Sequence, residues 1–93
     1  IKAVKIEFDP SKNERNIRER GLPFMLVDEF AWETAQTHED RRFPYPERRF
    51  VSLGLIGDRL FVVCFTPIPG GIRVISFRKA NAREVKRCEQ KAD

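Results

Sequence analysis

Apolar and charged residues alternate at the start of the chain. Val4, Ile6 and Phe8 are separated by Lys5 and Glu7, the period of two that a half-buried strand requires. Asp9-Pro10 stops this pattern and starts another. Asp is a good N-cap and proline is favoured at the first helical position, so a helix is expected from Pro10 to about Arg20, closed by Gly21. Within SKNERNIRER only Ile17 is strongly apolar, so this helix is expected to bury a thin stripe there. Lys12, Arg15, Arg18 and Arg20 are left for water or a partner. Pro23 opens a second helical pattern whose core face would be Phe24, Val27 and Ala31, flanked by Leu26 and Phe30. From Glu33 to Glu47 periodicity disappears, and Pro44 and Pro46 remove backbone donors, which reads as an exposed loop.

Three β-rich runs follow: Arg49 to Leu55, Arg59 to Phe65 and Ile72 to Phe77. They are joined by Gly57-Asp58 and by Pro67 to Gly71, both with turn chemistry. Short joints force antiparallel neighbours, so a three-stranded meander is expected with LFVVCF in its centre. Asn81 with Glu84 three residues on is a capping box, opening a last helix to about Gln90 in which Val85 is the one large aliphatic residue. The order strand, helix, helix, three strands, helix describes a small α+β single domain spanning 1–93. Its antiparallel sheet would carry the N-terminal helices and the C-terminal helix on one face.

Composition narrows the function classes. Ninety-three residues support one core, and 41% hydrophobic with 11% aromatic residues suffices to fold it despite 34% charged residues. The net charge of +4 and pI near 9.4 favour polyanionic or acidic partners without deciding between them. Cys64 and Cys88 have no CxxC spacing and His38 is the single histidine, which argues against a zinc site and for reduced thiols. No apolar stretch approaches the roughly 18 residues of a membrane helix. The first residues lack the apolar centre of a signal peptide, so the expectation is a cytoplasmic protein.

Basic residues gather late in the chain, at Arg73, Arg78, Lys79, Arg83, Lys86 and Arg87. Strict alternation along the strand would put Arg73 with Phe77 on one face and Ser76 with Arg78 on the other, while Arg83 sits near the positive end of the helix dipole. Such a cluster can hold phosphate, and it can equally be a solvated surface. Were RNA the substrate, attack by its own 2′-hydroxyl needs a base, a stabiliser for the phosphorane and an acid. One histidine cannot fill two of these roles. Glu47 is the candidate base, Arg73, Arg83 and Lys12 the candidate phosphate stabilisers, and His38 reads as a surface residue. Metal-dependent chemistry needs converging carboxylates, whereas Asp9, Asp28 and Glu29 are explained as a cap and as exposed helical charges. Ser52 and Ser76 sit on strands without a nucleophile elbow, and Cys64 lies in an apolar run, which suits a core position.

Four blocks in order resemble the BrnT toxin family. They are FDPSKNERNIRERGLPF from Phe8, ERRF from Glu47, VSLGLIGDRLFVVCFT from Val51 and RVISFRKANAREVKR from Arg73. The resemblance covers the chain outside the segment from Glu33 to Pro46. It implies a fold similar to RelE-type toxins, a metal-free and cofactor-free ribonuclease that suppresses translation, and a BrnA-type antitoxin as partner. The antitoxin's ribbon-helix-helix half would contact operator DNA, which the toxin touches only indirectly. The family pattern is met by Asp9, Lys12, Asn16, Gly21, Glu47, Arg49, Gly54, Arg73, Ser76, Arg78, Ala80, Arg83 and Glu84. Asp9, Gly21 and Glu84 are explained locally as caps, and Gly54 as a bulge or close-packing position. The rest supply the site: Arg73, Arg83, Glu47 and Lys12 for catalysis, and Arg49, Ser76, Arg78 and neighbouring Lys79 for RNA. Cys88 departs from the family, where an aromatic, usually Tyr, is common. The rival reading is a non-catalytic basic module that docks an acidic protein segment or RNA. A DNA-contacting subunit comes last, because no helix-turn-helix spacing is present.

Overall fold

The computed structural model describes residues 5–91. Its elements are β1 (Lys5–Glu7), α1 (Pro10–Arg20), two 3-10 turns (Phe24–Glu29 and Trp32–Thr34), β2 (Gln36–Asp40), β3 (Arg49–Ile56), β4 (Arg59–Ile68), β5 (Gly71–Lys79) and α2 (Ala82–Lys91). The expected meander is present, with β4 at the middle of a five-stranded sheet of order β1-β5-β4-β3-β2. The sheet is larger than expected and mixed rather than antiparallel, because β1 runs parallel to β5 with Lys5 opposite Gly71. Val4, the first residue of the expected strand, lies outside the described residues.

Two further expectations give way. The segment after Pro23 forms 3-10 turns instead of an α-helix. Phe24, Val27 and Phe30 recur every third residue and all three are buried, and a spacing of three matches a 3-10 turn better than 3.6. The segment from Glu33 to Glu47 is not loop throughout. Gln36–Asp40 pairs antiparallel with β3, with Thr37 opposite Ser52 and their hydroxyls hydrogen-bonded at 2.6 Å. QTHED has no apolar alternation, so its strand character comes from the neighbour it pairs with.

An irregularity in β5 decides which side chains face the core. Cys64 pairs with Ser76 but the next residue, Phe65, pairs with Val74, leaving Ile75 as an extra residue on β5. The extra residue reverses the alternation. Val74 and Phe77 both enter the core with Phe61, Val63 and Phe65 of β4, under Phe24, Val27 and Phe30. Arg73, Ser76 and Arg78 therefore share the opposite face, where simple alternation separates Arg73 from the other two. Gly54 also faces the core, and close packing explains it: a β-carbon there would sit 2.6 Å from Cζ of the buried Phe30.

The helices do not share one face. The core lies on the side of the 3-10 turns, whereas α2 docks on the opposite face through Gln36, whose amide donates to Cys88 Sγ at 3.5 Å, and through Arg78. The caps are as read. Asp9 accepts from the Ser11 amide, Gly21 closes α1 at φ 68°, and Asn81 and Glu84 exchange reciprocal bonds of 2.8 and 2.9 Å. Helix α1 is held differently from expectation. Ile17 is 43% exposed, and the residue that buries is Asn16, 6% exposed. Its amide nitrogen donates to the Leu22 and Phe77 carbonyls at 2.9 and 3.0 Å, and its oxygen accepts from Arg20. Phe77 lies beyond the stretch of β5 that β1 covers, so Asn16 satisfies a strand carbonyl that β1 leaves open.

Asn16→Ala should therefore destabilise the protein by roughly 2–4 kcal/mol, since two carbonyls lose their donor. Ile17→Ala should cost under about 1 kcal/mol. Denaturant unfolding of both variants checks this ordering, and a larger loss at Ile17 would overturn it.

Candidate functional site

On the face opposite the core, the registers set side chains in cross-strand ranks. Along one rank run Asp40 and Arg49, paired across β2 and β3, and Thr66, Arg73 and Glu7, paired across β4, β5 and β1. The register carried one step past the Phe50–Phe65 pair joins the two groups. The next rank, two residues along β2, β3 and β4 but three along β5 because of the bulge, and about 7 Å away, holds His38, Val51, Cys64 and Ser76. After it come Gln36, Leu53, Val62 and Arg78, and then Leu55 with Leu60. The face thus grades from charged to apolar. Helix α2 covers the apolar end, leaving a cleft of about 530 Å³ among Leu53, Leu55, Leu60, Val85 and Cys88 that holds none of the charged rank.

The arginines on this face are differently engaged. Arg73 donates to Glu7 Oε1 through Nε and Nη2 at 3.2 and 2.9 Å, and both partners remain well exposed. The Arg73 guanidinium, with Lys5 adding to it, holds the Glu7 carboxyl below its usual range. Arg78 makes a two-pronged contact with Glu84, 2.9 Å on each oxygen, which tethers α2 to β5 and lowers the Glu84 carboxyl. Arg49 lies 4.2 Å over the Tyr45 ring, with Nη2 3.9 Å from Glu47 Oε1. Its buried Nε finds no acceptor, so the guanidinium retains hydrogen-bonding capacity.

Asp40 anchors the chain at the charged end. It is buried, and accepts from Arg42 Nε and Nη2 at 2.9 Å each, from the Arg42 backbone amide at 3.2 Å and from the Tyr45 hydroxyl at 3.1 Å. These donors, Arg42 foremost, hold its carboxyl far below the ordinary range. Burial pushes the Cys64 thiol up against the opposing pull of Arg49, so it stays protonated and is no thiolate nucleophile.

The fold gathers Arg49, Arg73, Ser76 and Arg78 on one face with Glu47 at its margin. Lys12 stands exposed on α1, Arg83 exposed on α2, and Lys79 at the end of β5, where it pairs with core-facing Phe61. Among the described residues, no hydrogen bond or ion pair links Lys12 or Arg83 to the charged rank. Sequence reasoning missed three members of this face. His38 lies on a strand beside Val51 rather than in a loop, Cys64 faces away from the core, and Tyr45 stacks on Arg49. Only the alternation of LFVVCF, with Phe61, Val63 and Phe65 inward, signalled Cys64. Among the described residues, no group of three or more His, Cys, Asp or Glu is placed to hold a metal ion.

A small mixed-sheet domain whose sheet carries arginines on the face opposite its core presents positive charge suited to an anionic partner. Residues 8–84 match the ribonuclease toxin BrnT of type II toxin-antitoxin systems, and the chain belongs to that family. Among solved structures it is similar to the crystal structure of the Brucella abortus ribonuclease toxin BrnT. The two share 29% identity over 84% of this chain and 97% of that one, with a TM-score of 0.63. No curated protein sequence gives a significant match.

Because the Asp40 carboxyl is lowered on folding, its ionised form stabilises the fold fully above the ordinary Asp value of about 4, and this contribution fades as pH falls through the lowered value. Asp40→Asn should be less stable than wild type at neutral pH, with the gap closing on acidification below about pH 4. Thermal melts across that range measure it, and a gap independent of pH would show that Asp40 contributes nothing through its charge.

Proposed function

We propose that this chain is an endoribonuclease that cleaves RNA without a metal and thereby suppresses translation, working from the open sheet face on a scaffold of RelE type. The observation that carries the reading is the bulge at Ile75, which sets Arg73, Ser76 and Arg78 on the same exposed face as Arg49. In such a reaction the ribose 2′-hydroxyl attacks the adjacent phosphorus, the 5′-oxygen leaves, and a 2′,3′-cyclic phosphate remains. Arg73 and Arg49 bear on the negative charge that builds on the phosphorane oxygens. Glu47, next to Arg49, orients that guanidinium or takes the 2′ proton.

His38, diagonal to Arg49 across β2 and β3, is the one imidazole available to exchange a proton with the leaving oxygen. Ser76 and Arg78 hold the flanking backbone and Arg83 extends the basic surface from α2, whereas Lys79, in register with core-facing Phe61, and Lys12, on the helix that does not share this face, lie apart from it. Family membership supports an antitoxin protein as partner; in this reading it is a BrnA-type ribbon-helix-helix protein that covers the basic face, represses its own operon through its DNA-binding half and acts with the toxin in the cytoplasm.

RNA cleavage should persist in excess EDTA and leave cyclic-phosphate ends; products carrying 5′-phosphate would overturn the metal-free mechanism. Arg73→Ala should cut the cleavage rate by about 10²-fold. Its effect on stability should stay under about 1 kcal/mol, because the ion pair it loses is a surface one. Full activity in folded Arg73→Ala and Arg49→Ala proteins would remove the face from catalysis and favour a binding module.

A further inference from the structure

Beyond the charged rank, the chain from Arg41 to Arg48 presents an aromatic that packing does not account for. Phe43 is 61% exposed, the most exposed of the large apolar residues among those described. It is nevertheless held in place: the Arg42 guanidinium lies 5.7 Å from its ring centre, and the Tyr45 ring meets it edge-on at 5.8 Å and 77°. Both braces are fixed in turn by Asp40, which accepts from Arg42 and from the Tyr45 hydroxyl, while Pro44 and Pro46 restrict the backbone on either side of Tyr45. The ring is displayed and not loose. An exposed aromatic that has lost its conformational freedom has already met the ordering cost that stacking demands.

The surroundings of the ring indicate what it meets. Arg41, Arg42 and Arg48 are all largely exposed although each is ion-paired, the first and last to Glu39 and Arg42 to Asp40, and Phe43, Tyr45, Arg41 and Arg48 line a shallow depression of about 320 Å³ together with those carboxylates and Glu47. Tyr45 also carries Arg49, 4.2 Å over its ring, so the aromatic pair connects to the sheet face that bears Arg49. Aromatic rings interleaved with guanidiniums suit a single-stranded nucleic acid, whose bases stack while its phosphates meet the arginines. A lipid surface or an apolar groove on a protein would require a broader apolar patch, and here two prolines and three arginines with their carboxylate partners surround a single exposed ring.

We propose that Phe43 is the stacking platform for an unpaired RNA base next to the cleavage site. The phosphates on either side of that base lie on Arg41, Arg42 and Arg48, so the protein selects single-stranded RNA. The proposal rests on the ribonuclease reading for its biological setting, but stacking is measurable without cleavage.

The test uses a short, single-stranded 2′-O-methyl oligonucleotide, which cannot be cleaved, and an RNA duplex of the same sequence. Phe43→Ala should raise the Kd for the single strand by roughly tenfold, the size of effect expected for one lost stacked base, with the duplex unaffected. Phe43→Trp should restore binding and show quenched indole fluorescence when the oligonucleotide is added, while Phe43→Leu, which keeps bulk without a π-face, should behave like Phe43→Ala. In cleavage assays the loss at Phe43→Ala should appear in KM with kcat little changed. Equal single-strand affinity in wild type and Phe43→Ala would overturn the proposal. So would wild-type affinity in Phe43→Leu, or a loss confined to the cognate antitoxin. A wild-type protein that binds through Phe43 but cleaves nothing would support the platform and overturn the ribonuclease reading alone.

Discussion

A single extra residue in β5 governs the relation between core and surface. Side chains alternate strictly along a regular strand, so Val74 and Phe77, three positions apart, would face opposite ways. The bulge at Ile75 brings both inward, where they are almost wholly buried, and turns Arg73, Ser76 and Arg78 outward together. Removing the extra residue would drive an arginine toward Phe24 and Val27 or expose an aromatic, each a cost of several kcal/mol. The same local feature therefore completes the hydrophobic layer and concentrates positive charge on the other side of the sheet, which is why core and candidate site cannot vary independently on this strand.

Polar contacts take up the remaining structural work. Helix α1 has almost no apolar surface to bury and is instead fastened by Asn16 to two carbonyls. Helix α2 is fastened by Glu84, which both caps it and grips Arg78. Arg78 is thus shared between structure and surface: a change there loosens α2 as well as altering the face. Arg73 and Arg49 are less committed, the first to an exposed partner and the second to a ring and a distant carboxylate.

Much of this was legible in the sequence. Asp9, Gly21, Asn81 and Glu84 declared the helix ends, and the alternation in the three β-rich runs declared the meander with β4 at its centre. Phe24 and Val27 were legible too, although the expected helical stripe continued to Ala31 where the structure, with its spacing of three, buries Phe30. What escaped was set by pairing and not by pattern. A bulge leaves no mark in VISF, β2 is polar on both faces, and the parallel partnership of β1 with β5 joins residues 66 apart. The arginine face was correspondingly half visible: its residues were named, but their common orientation depended on the bulge, and His38 and Tyr45 depended on the placement of β2 and of the chain that follows it.

That long-range partnership bears on how the protein comes into being. Strands β3, β4 and β5 are joined by short turns, so their ladders close over small chain separations, whereas the first strand must wait for the last. During synthesis β1 emerges well before β5 and has no edge to join until Gly71 to Arg73 exist, and Asn16 has no Phe77 carbonyl to grip. The charged rank is completed by the same event, since Glu7 and Arg73 meet only through that pairing. A half-made chain therefore lacks both the complete sheet and the assembled charged rank, and the topology ties the appearance of that rank to completion of the fifth strand.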